Sequence, residues 1–487
     1  MRSLKTSARI TAFVLLAGLA TPLLLSAQNT QYKLIDIGTL GGPSAYGPMI
    51  GPGSQLVNNS GTVAGTADTS DLNFLGLRWR DGVLTSLDAL PGGEFSIANA
   101  INARSWVTGA SDTGDIDPVT GGPVVHSVLW NDHGVLDLGT LGTGLLSAAW
   151  YIKDSGQVVG NATVDTTSDP FSNNGIGPFG SPTHVFAWKN GTMRDLGTLG
   201  GPDSFAAPGC NNQSDELVAG SSFIDSNPNA DTGLPTLDPF LWNNGTMTDL
   251  GSLGGTYGYA QCTNNRGQVI GQSSLTGEEC FGQEPGNPGC HAFLWDGSAM
   301  TDLGTLGGSS SSAFWLNERG EAVGASFTSD DEAFHATLWS NGAITDLGTL
   351  PGDCGSIAWA INSKGQIVGF SANCDTGVAE VVLWEKLSIT DLHVSAFEPL
   401  NINDRGEITG VSVPPGCNDS DSCAASVFLL VPCHDGDQGC DHLATTVPRP
   451  AAASATRDAR KTRGLVATWR ARLTRPRRVA GLSIPHN

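Results

Sequence analysis

Apolar positions in this chain alternate with a period of two over short runs, and each run ends at a turn signal. SSAFWLN, beginning at Ser311, predicts a strand, ERG turns the chain, and EAVGASF predicts a second strand. A loop follows, then HATLW, the turn SNG, and AITDLGTL. An Asn-Gly pair between two apolar runs predicts a type I′ hairpin, whose two central residues need positive φ. KNG, NNG, SNG and DG turns stand in this place through the chain. Helical patterning has no room to develop, because 64 Gly and 26 Pro interrupt every window.

The unit repeats. Its Asp-Leu-Gly position falls at Asp36, Ser86, Asp137, Asp195, Asp249, Asp302, Asp346 and Asp391, at spacings of 50, 51, 58, 54, 53, 44 and 45 residues. A second marker, Asn-x-x-Gly-x-x-x-Gly, starts at Asn58, Asn317, Asn362 and Asn403, with degraded copies at Asn102, Lys153, Gln213 and Asn264. The third marker is an apolar run ending in Trp79, Trp130, Trp188, Trp242, Trp295, Trp339 or Trp384; Phe428 and Leu429 take its place in the last copy.

Four short antiparallel strands at this period describe a propeller blade. The chain starts with a lone fourth strand, YKLIDIGTL, and the eighth unit lacks one. The expectation is therefore an all-β propeller of eight four-stranded blades, closed by the N-terminal strand completing the last blade. A seven-bladed ring with a stray unit and an open solenoid are the alternatives.

HAFLW at His291, together with DLGTLGG at Asp195 and Asp302, resembles the HAF-type extracellular repeat of bacterial exported proteins. The resemblance covers residues 32–432. It implies a secreted, repeat-built protein and brings no reaction or ligand with it. LDALPGG after Trp79 and the missing Trp of the eighth unit depart from its pattern.

The termini fit export. Arg2, Lys5 and Arg9, an apolar stretch and Leu25-Ser26-Ala27 read as a signal peptide over residues 1–27. No further stretch has the length of a transmembrane helix. Ten cysteines, all from Cys210 onward, suit an oxidising compartment. Proximity suggests Cys280–Cys290, Cys354–Cys374, Cys417–Cys423 and Cys433–Cys440, and equivalent repeat positions suggest Cys210–Cys262. The spacing is not that of a zinc site.

Charge divides unevenly. Residues 28–442 carry 12 Lys/Arg against 46 Asp/Glu, whereas 443–487 carry ten against one. An acidic body repels a phosphate backbone and excludes nucleic acid as partner. The tail 443–487 reads as a disordered basic segment; Leu465, Trp469 and Leu473 permit an amphipathic helix that would suit an anionic envelope or the acidic body.

Residues repeated once per blade are assigned to architecture. The Trp packs between blades, the Asp accepts N–H bonds in the turn that it precedes, and the Gly pair supplies φ freedom at the crossover. His126, His184, His291 and His335, four residues before Trp, read as a strand-edge position. Deviations from the repeat point to function instead. The loops joining second to third strands are long in units two to five, over Ala110–Ser127, Asn161–Val185, Ser221–Pro239 and Gln272–His291, and would form one sector of one face.

Phe171, Phe179, Phe223 and Phe281 offer that sector apolar contacts. Asp165, Asp169, Asp225, Asp231, Glu278, Glu279 and Glu284 offer it charge. Asp112, Asp115 and Asp117, and separately Asp435 and Asp437, are the acids that would suit calcium, without the spacing of a calcium loop. No other cofactor is implied. No catalytic motif stands out, so the reading is an extracellular binding or structural module for a protein or polysaccharide. The alternative is a secreted carbohydrate-active enzyme, a glycosidase or lyase using loop carboxylates.

Overall fold

The computed structural model describes residues 31–448, apart from 48–53, 72, 119–120, 172–179, 209, 211, 231–232, 277–288, 330, 374, 387, 396–400, 413–423, 434–439, 441 and 444. These residues form eight antiparallel sheets of four strands, in chain order in seven of them, and two sheets are extended by a fifth strand. The architecture is an eight-bladed β-propeller, and the seven-bladed alternative falls. Gln31–Asp36 pairs with Ser426–Pro432, Tyr32 opposite Pro432 and Asp36 opposite Phe428, and so supplies the fourth strand of blade eight. Joining the two ends of the chain in one sheet removes the open edges of both.

First strands are buried along their length, as in Ser96–Ile101, Ser147–Ile152 and Gly355–Ile361, whereas fourth strands such as Thr246–Asp249 are largely exposed. The core therefore lies toward the axis and between blades. The hairpin turns have the expected backbone: Asp81-Gly82, Asn190-Gly191, Asn244-Gly245 and Asn341-Gly342 all have positive φ at both residues. Trp79, Trp130, Trp188, Trp242, Trp339 and Trp384 are buried. Register corrects the last copy. Ile408 faces Leu430 as Ile367 faces Trp384, so Leu430, not Phe428 or Leu429, holds the Trp position.

Blade-to-blade ties use the second marker. The Nδ2 of Asn58 donates to the carbonyl of Asn102, Asn102 to Lys153, Asn264 to Asn317, Asn317 to Asn362, Asn362 to Asn403, and Asn403 back to Asn58, at 2.8–3.3 Å. Each Oδ1 meanwhile accepts the N–H groups two and four residues on, fixing its own turn. In blade four the turn is one residue longer. The equivalent residue is Asn212 rather than Gln213, and its Nδ2 turns inward to the Leu217 carbonyl at 2.9 Å.

Two substitutions cover that irregularity. Lys153 reaches the Ser214 and Leu217 carbonyls from blade three. Cys210 and Cys262, each two residues before its latch position, form a disulfide between blades four and five, Cα–Cα 5.4 Å. All eight joints are thus tied.

The Cys433–Cys440 disulfide is also formed, and Cys290 and Cys354 are disulfide-bonded. Cys280, Cys374, Cys417 and Cys423 lie outside the described residues. Beyond blade eight, His442–Leu443 pairs with the N-terminal strand and Thr445–Pro448 with Ser388–Ser395 of blade seven. These are the fifth strands, and they lie at the start of the segment that the sequence reads as a tail; 449–487 lie outside the described residues.

Candidate functional site

Each blade puts its second-to-third-strand loop beside the crossover leaving its preceding blade, because both leave the upper ends of strands. The Gly pair of the crossover makes this approach. Gly92, Gly200, Gly254 and Gly307 have positive φ, and a Cβ on the following glycine would meet the neighbouring loop, 2.2 Å from the Asp112 carbonyl at Gly93 and 2.4 Å from the Thr328 carbonyl at Gly308. The pair therefore has two jobs, turning and close approach.

In blade two the region read as the loop Ala110–Ser127 is mostly strand. Val107–Ile116 and Pro123–Asn131 continue pairing past a shift between Asp112 and Ile116. Asp112 is buried and its carboxylate accepts the Glu94 and Phe95 N–H groups of the crossover at 2.8–2.9 Å. Asp115 is exposed, while Asp117 is buried and heads the tip turn. Among the described residues no group of three or more His, Cys, Asp or Glu could hold a metal ion. Asp112, Asp115 and Asp117 are thus not gathered into such a group, and the Asp112 carboxylate is engaged by the crossover backbone. Asp435 and Asp437 lie outside the described residues.

Blades three and four hold the rest of the described sector. Phe223 is 1% exposed and meets Phe171 and Phe205 edge-on at 5.8 and 5.9 Å, in a cluster with Leu237 and Tyr257. These rings anchor the loops and Phe223 offers no surface. Asp165 and Asp225 are partly exposed and close Asx turns on the Thr167 and Asn227 N–H groups, 2.8 Å each. Phe179, Asp231, Glu278, Glu279, Glu284 and Phe281 lie outside the described residues.

In the same loop Asp169 is buried and accepts the Phe171 N–H at 2.9 Å. Asp203, on the crossover and 1% exposed, accepts the Thr183 N–H with Oδ1 at 2.8 Å, and its Oδ2 has no hydrogen-bond partner among the described residues. Burial pushes its pKa up to about 7, the Thr183 N–H opposing and the charge of Asp169 adding to the rise. Asp238, also buried, is raised to about 6 by burial and then by Asp249. Sequence reasoning missed both, since burial of a loop acid depends on how the loop folds back.

It also missed the partner of the histidines. His126, His184, His291 and His335 place Nδ1 2.8–3.0 Å from the carboxylates of Asp137, Asp195, Asp302 and Asp346 in the adjacent strand. Those carboxylates also accept the N–H of the following Gly. Burial raises Asp137 and Asp195, yet the histidine and the Gly N–H outweigh it and hold both below the usual range. A constant interval of 11 residues between His and Asp was the signal. In blades four and seven the His position holds Asp238 and Glu380, so an acid faces the acid of the Asp-Leu-Gly turn or its blade-seven counterpart Asp391. Glu380 is raised by burial, the Ser395 hydroxyl opposing and Asp391 adding.

The two faces differ in charge. Arg104, Lys153, Arg266, Arg319, Lys364 and Arg405 lie in first-to-second-strand turns, and Arg80, Lys189 and Lys386 at third-to-fourth-strand turns. No Lys or Arg lies in a second-to-third-strand loop or a crossover among the described residues. Among the described residues the loop face carries carboxylates and no Lys or Arg.

The class this defines is an eight-bladed β-propeller with an acidic loop face. No protein-family model matches the chain, and no curated protein matches it. Solved structures similar to it include the β-propeller domain of the Trilobed protease from Pyrococcus furiosus (9% identity, 70% of this chain and 93% of that one, TM-score 0.41). A gluconolactonase from Xanthomonas campestris (11%, 63% and 90%, 0.27) and the Aleuria aurantia lectin in complex with Fucalpha1-6GlcNAc (7%, 73% and 92%, 0.27) also match. At such low likeness none of them speaks to what this chain binds.

Proposed function

We propose that the chain is an exported binding module, which presents the loop face of blades two to five to an extracellular protein or polysaccharide. The observation that carries this reading is where the repeated residues are used. Where a unit carries the Asn, the Gly pair, the Asp or the His of the repeat, these residues are engaged in ties within or between blades. What varies is the loop face, where function on a repeat scaffold sits. A surface of carboxylates without Lys or Arg fits a partner that presents basic groups or hydroxyls.

Export is supported by the signal-like residues 1–27 and by the disulfides. No helix among the described residues is long and apolar enough to cross a membrane. Asp203 weighs against the hydrolytic alternative. Its acidity would suit a general acid at neutral pH, but it is sealed beneath the loops at 1% exposure.

A test replaces 165–182 and 225–236 with short turns and compares binding to a glycan and surface-polymer array. Loss of binding with unchanged circular dichroism is the expected result. Binding that survives the trimming rules out this face as the binding site.

A further inference from the structure

On the opposite face, three departures from the repeat meet in one groove between blades one and two. Arg78 precedes Trp79, at a place where the other seven units have Leu or Ala: Leu129, Ala187, Leu241, Leu294, Leu338, Leu383 and Leu429. Ser105, in the turn after Asn102, has φ +61°, while Gly61, Gly156, Gly267, Gly320, Gly365 and Gly406 occupy this left-handed position in six other units. Its hydroxyl is held by Asn58 and Thr62 at 3.1 and 3.0 Å, and its carbonyl accepts Nη1 of Arg78 at 3.2 Å.

The third departure frees a charge. Two residues past the latch Asn, blades five, six and eight carry Arg266, Arg319 and Arg405, each bonded to an acceptor two residues further, Gln268, Glu321 and Glu407. Blade two has the arginine, Arg104, but Trp106 stands in the acceptor's place. The guanidinium stacks on the indole instead, 5.1 Å from the ring centroid. Neither Arg78 nor Arg104 has a carboxylate at ion-pair distance among the described residues.

Arg78, Arg80 and Arg104 line one groove of about 350 Å³, and Asp81 and Asp132 line it with them, leaving one positive charge in excess. Arg80 lies 3.5 Å from Asp81, and both are exposed, so that contact holds the guanidinium weakly. Three of the 12 Lys and Arg of residues 28–442 converge here. Guanidinium forks match the paired oxygens of carboxylate and phosphate groups. The volume suits a small ligand or one or two sugar residues.

We infer that this groove is an anion-binding site, built by Arg78, Arg80 and Arg104, for a ligand presenting a carboxylate or phosphate group. The site is separate from the loop face and stands whether or not that face binds a partner. The overall negative charge repels anions at long range, so recognition rests on the local forks and favours a ligand with a compact, bidentate head group.

Calorimetric titration of the mature chain with inorganic phosphate, trigalacturonate and neutral maltotriose tests this. The expected result is one saturable site for phosphate or trigalacturonate and none for maltotriose; which probe saturates distinguishes a free oxyanion from an acidic saccharide. Arg78→Leu, which installs the residue of the neighbouring blades, and Trp106→Glu, which gives Arg104 its usual kind of partner, should each weaken binding at least tenfold. Asp132→Asn should tighten it. No saturation by either anion, or binding by folded Arg78→Leu equal to that of the parent chain, overturns the proposal.

Discussion

Asp203 is a buried carboxyl through which pH acts on the loop face. Its pKa is about 7 in the folded chain against 3.8 as the ordinary value. Between those values the folded chain keeps a proton that the unfolded chain releases, so the stability linked to it is full below the lower value and lost as pH rises through the upper. Asp203→Asn retains the acceptor for Thr183 and cannot ionise. Denaturant unfolding should show the variant equal to the parent near pH 4 and more stable by pH 8. Each pH unit between the folded and unfolded pKa contributes at most about 1.4 kcal/mol to that difference. An equal pH dependence would mean that Asp203 is ionised and solvated. Lys153 acts in the opposite sense, since burial lowers it from 10.5 to about 7 and its cost falls as pH rises through that range; comparing variant with parent cancels it. At this scale the sequence was legible where a residue bonds locally, as the Asp-Leu-Gly carboxylate does. It was silent on Asn58, Asn317 and their equivalents, whose partner carbonyls lie one blade away.

Among the elements, the crossover separates two meanings of glycine. Gly304 has φ +71° and open space around a built Cβ, whereas on Gly308 a Cβ would stand 2.4 Å from the Thr328 carbonyl and 2.6 Å from the Phe327 side chain. Gly304→Ala meets only the left-handed backbone and should cost about 1–2 kcal/mol. Gly308→Ala must displace backbone and should cost clearly more, about 3 kcal/mol or above by the usual range for overpacking. Matched urea unfolding of the two variants checks the order, and a larger loss at Gly304 would refute the close-approach assignment. The strands and hairpins were legible because period-two patterning and Asn-Gly turns are local. The blade-two hairpin was not, since Asp112 to Ile116 has the composition of a loop and becomes strand by pairing with Pro123–Val125. Nor was the one-residue longer turn of blade four visible, because alignment on Gly220 hid Asn212.

At the scale of the molecule, every joint between blades is tied, six by the Asn amide, one by Lys153 and one by the Cys210–Cys262 disulfide. The joint between blades eight and one is closed by Asn403 Nδ2 donating to the Asn58 carbonyl at 2.8 Å and by the Asp404 N–H donating to Asn59 Oδ1 at 2.9 Å. The same closure depends on Gln31–Asp36, which covers the Ser426–Pro432 strand through five paired residues. Ring closure could be read from the sequence because the missing strand at one end matched the surplus strand at the other; the fifth strands His442–Leu443 and Thr445–Pro448 could not, as nothing in their composition names the edge they join. Deleting residues 31–36 would expose the third strand of blade eight, apolar from Val427 to Val431, as an unpaired edge. Such an edge recruits strands from other molecules, so light scattering should show the shortened chain associating at concentrations where the parent chain does not. A shortened chain that remained monomeric, with its thermal midpoint unchanged, would show that the Asn latches and the core between blades one and eight hold the ring without the strand.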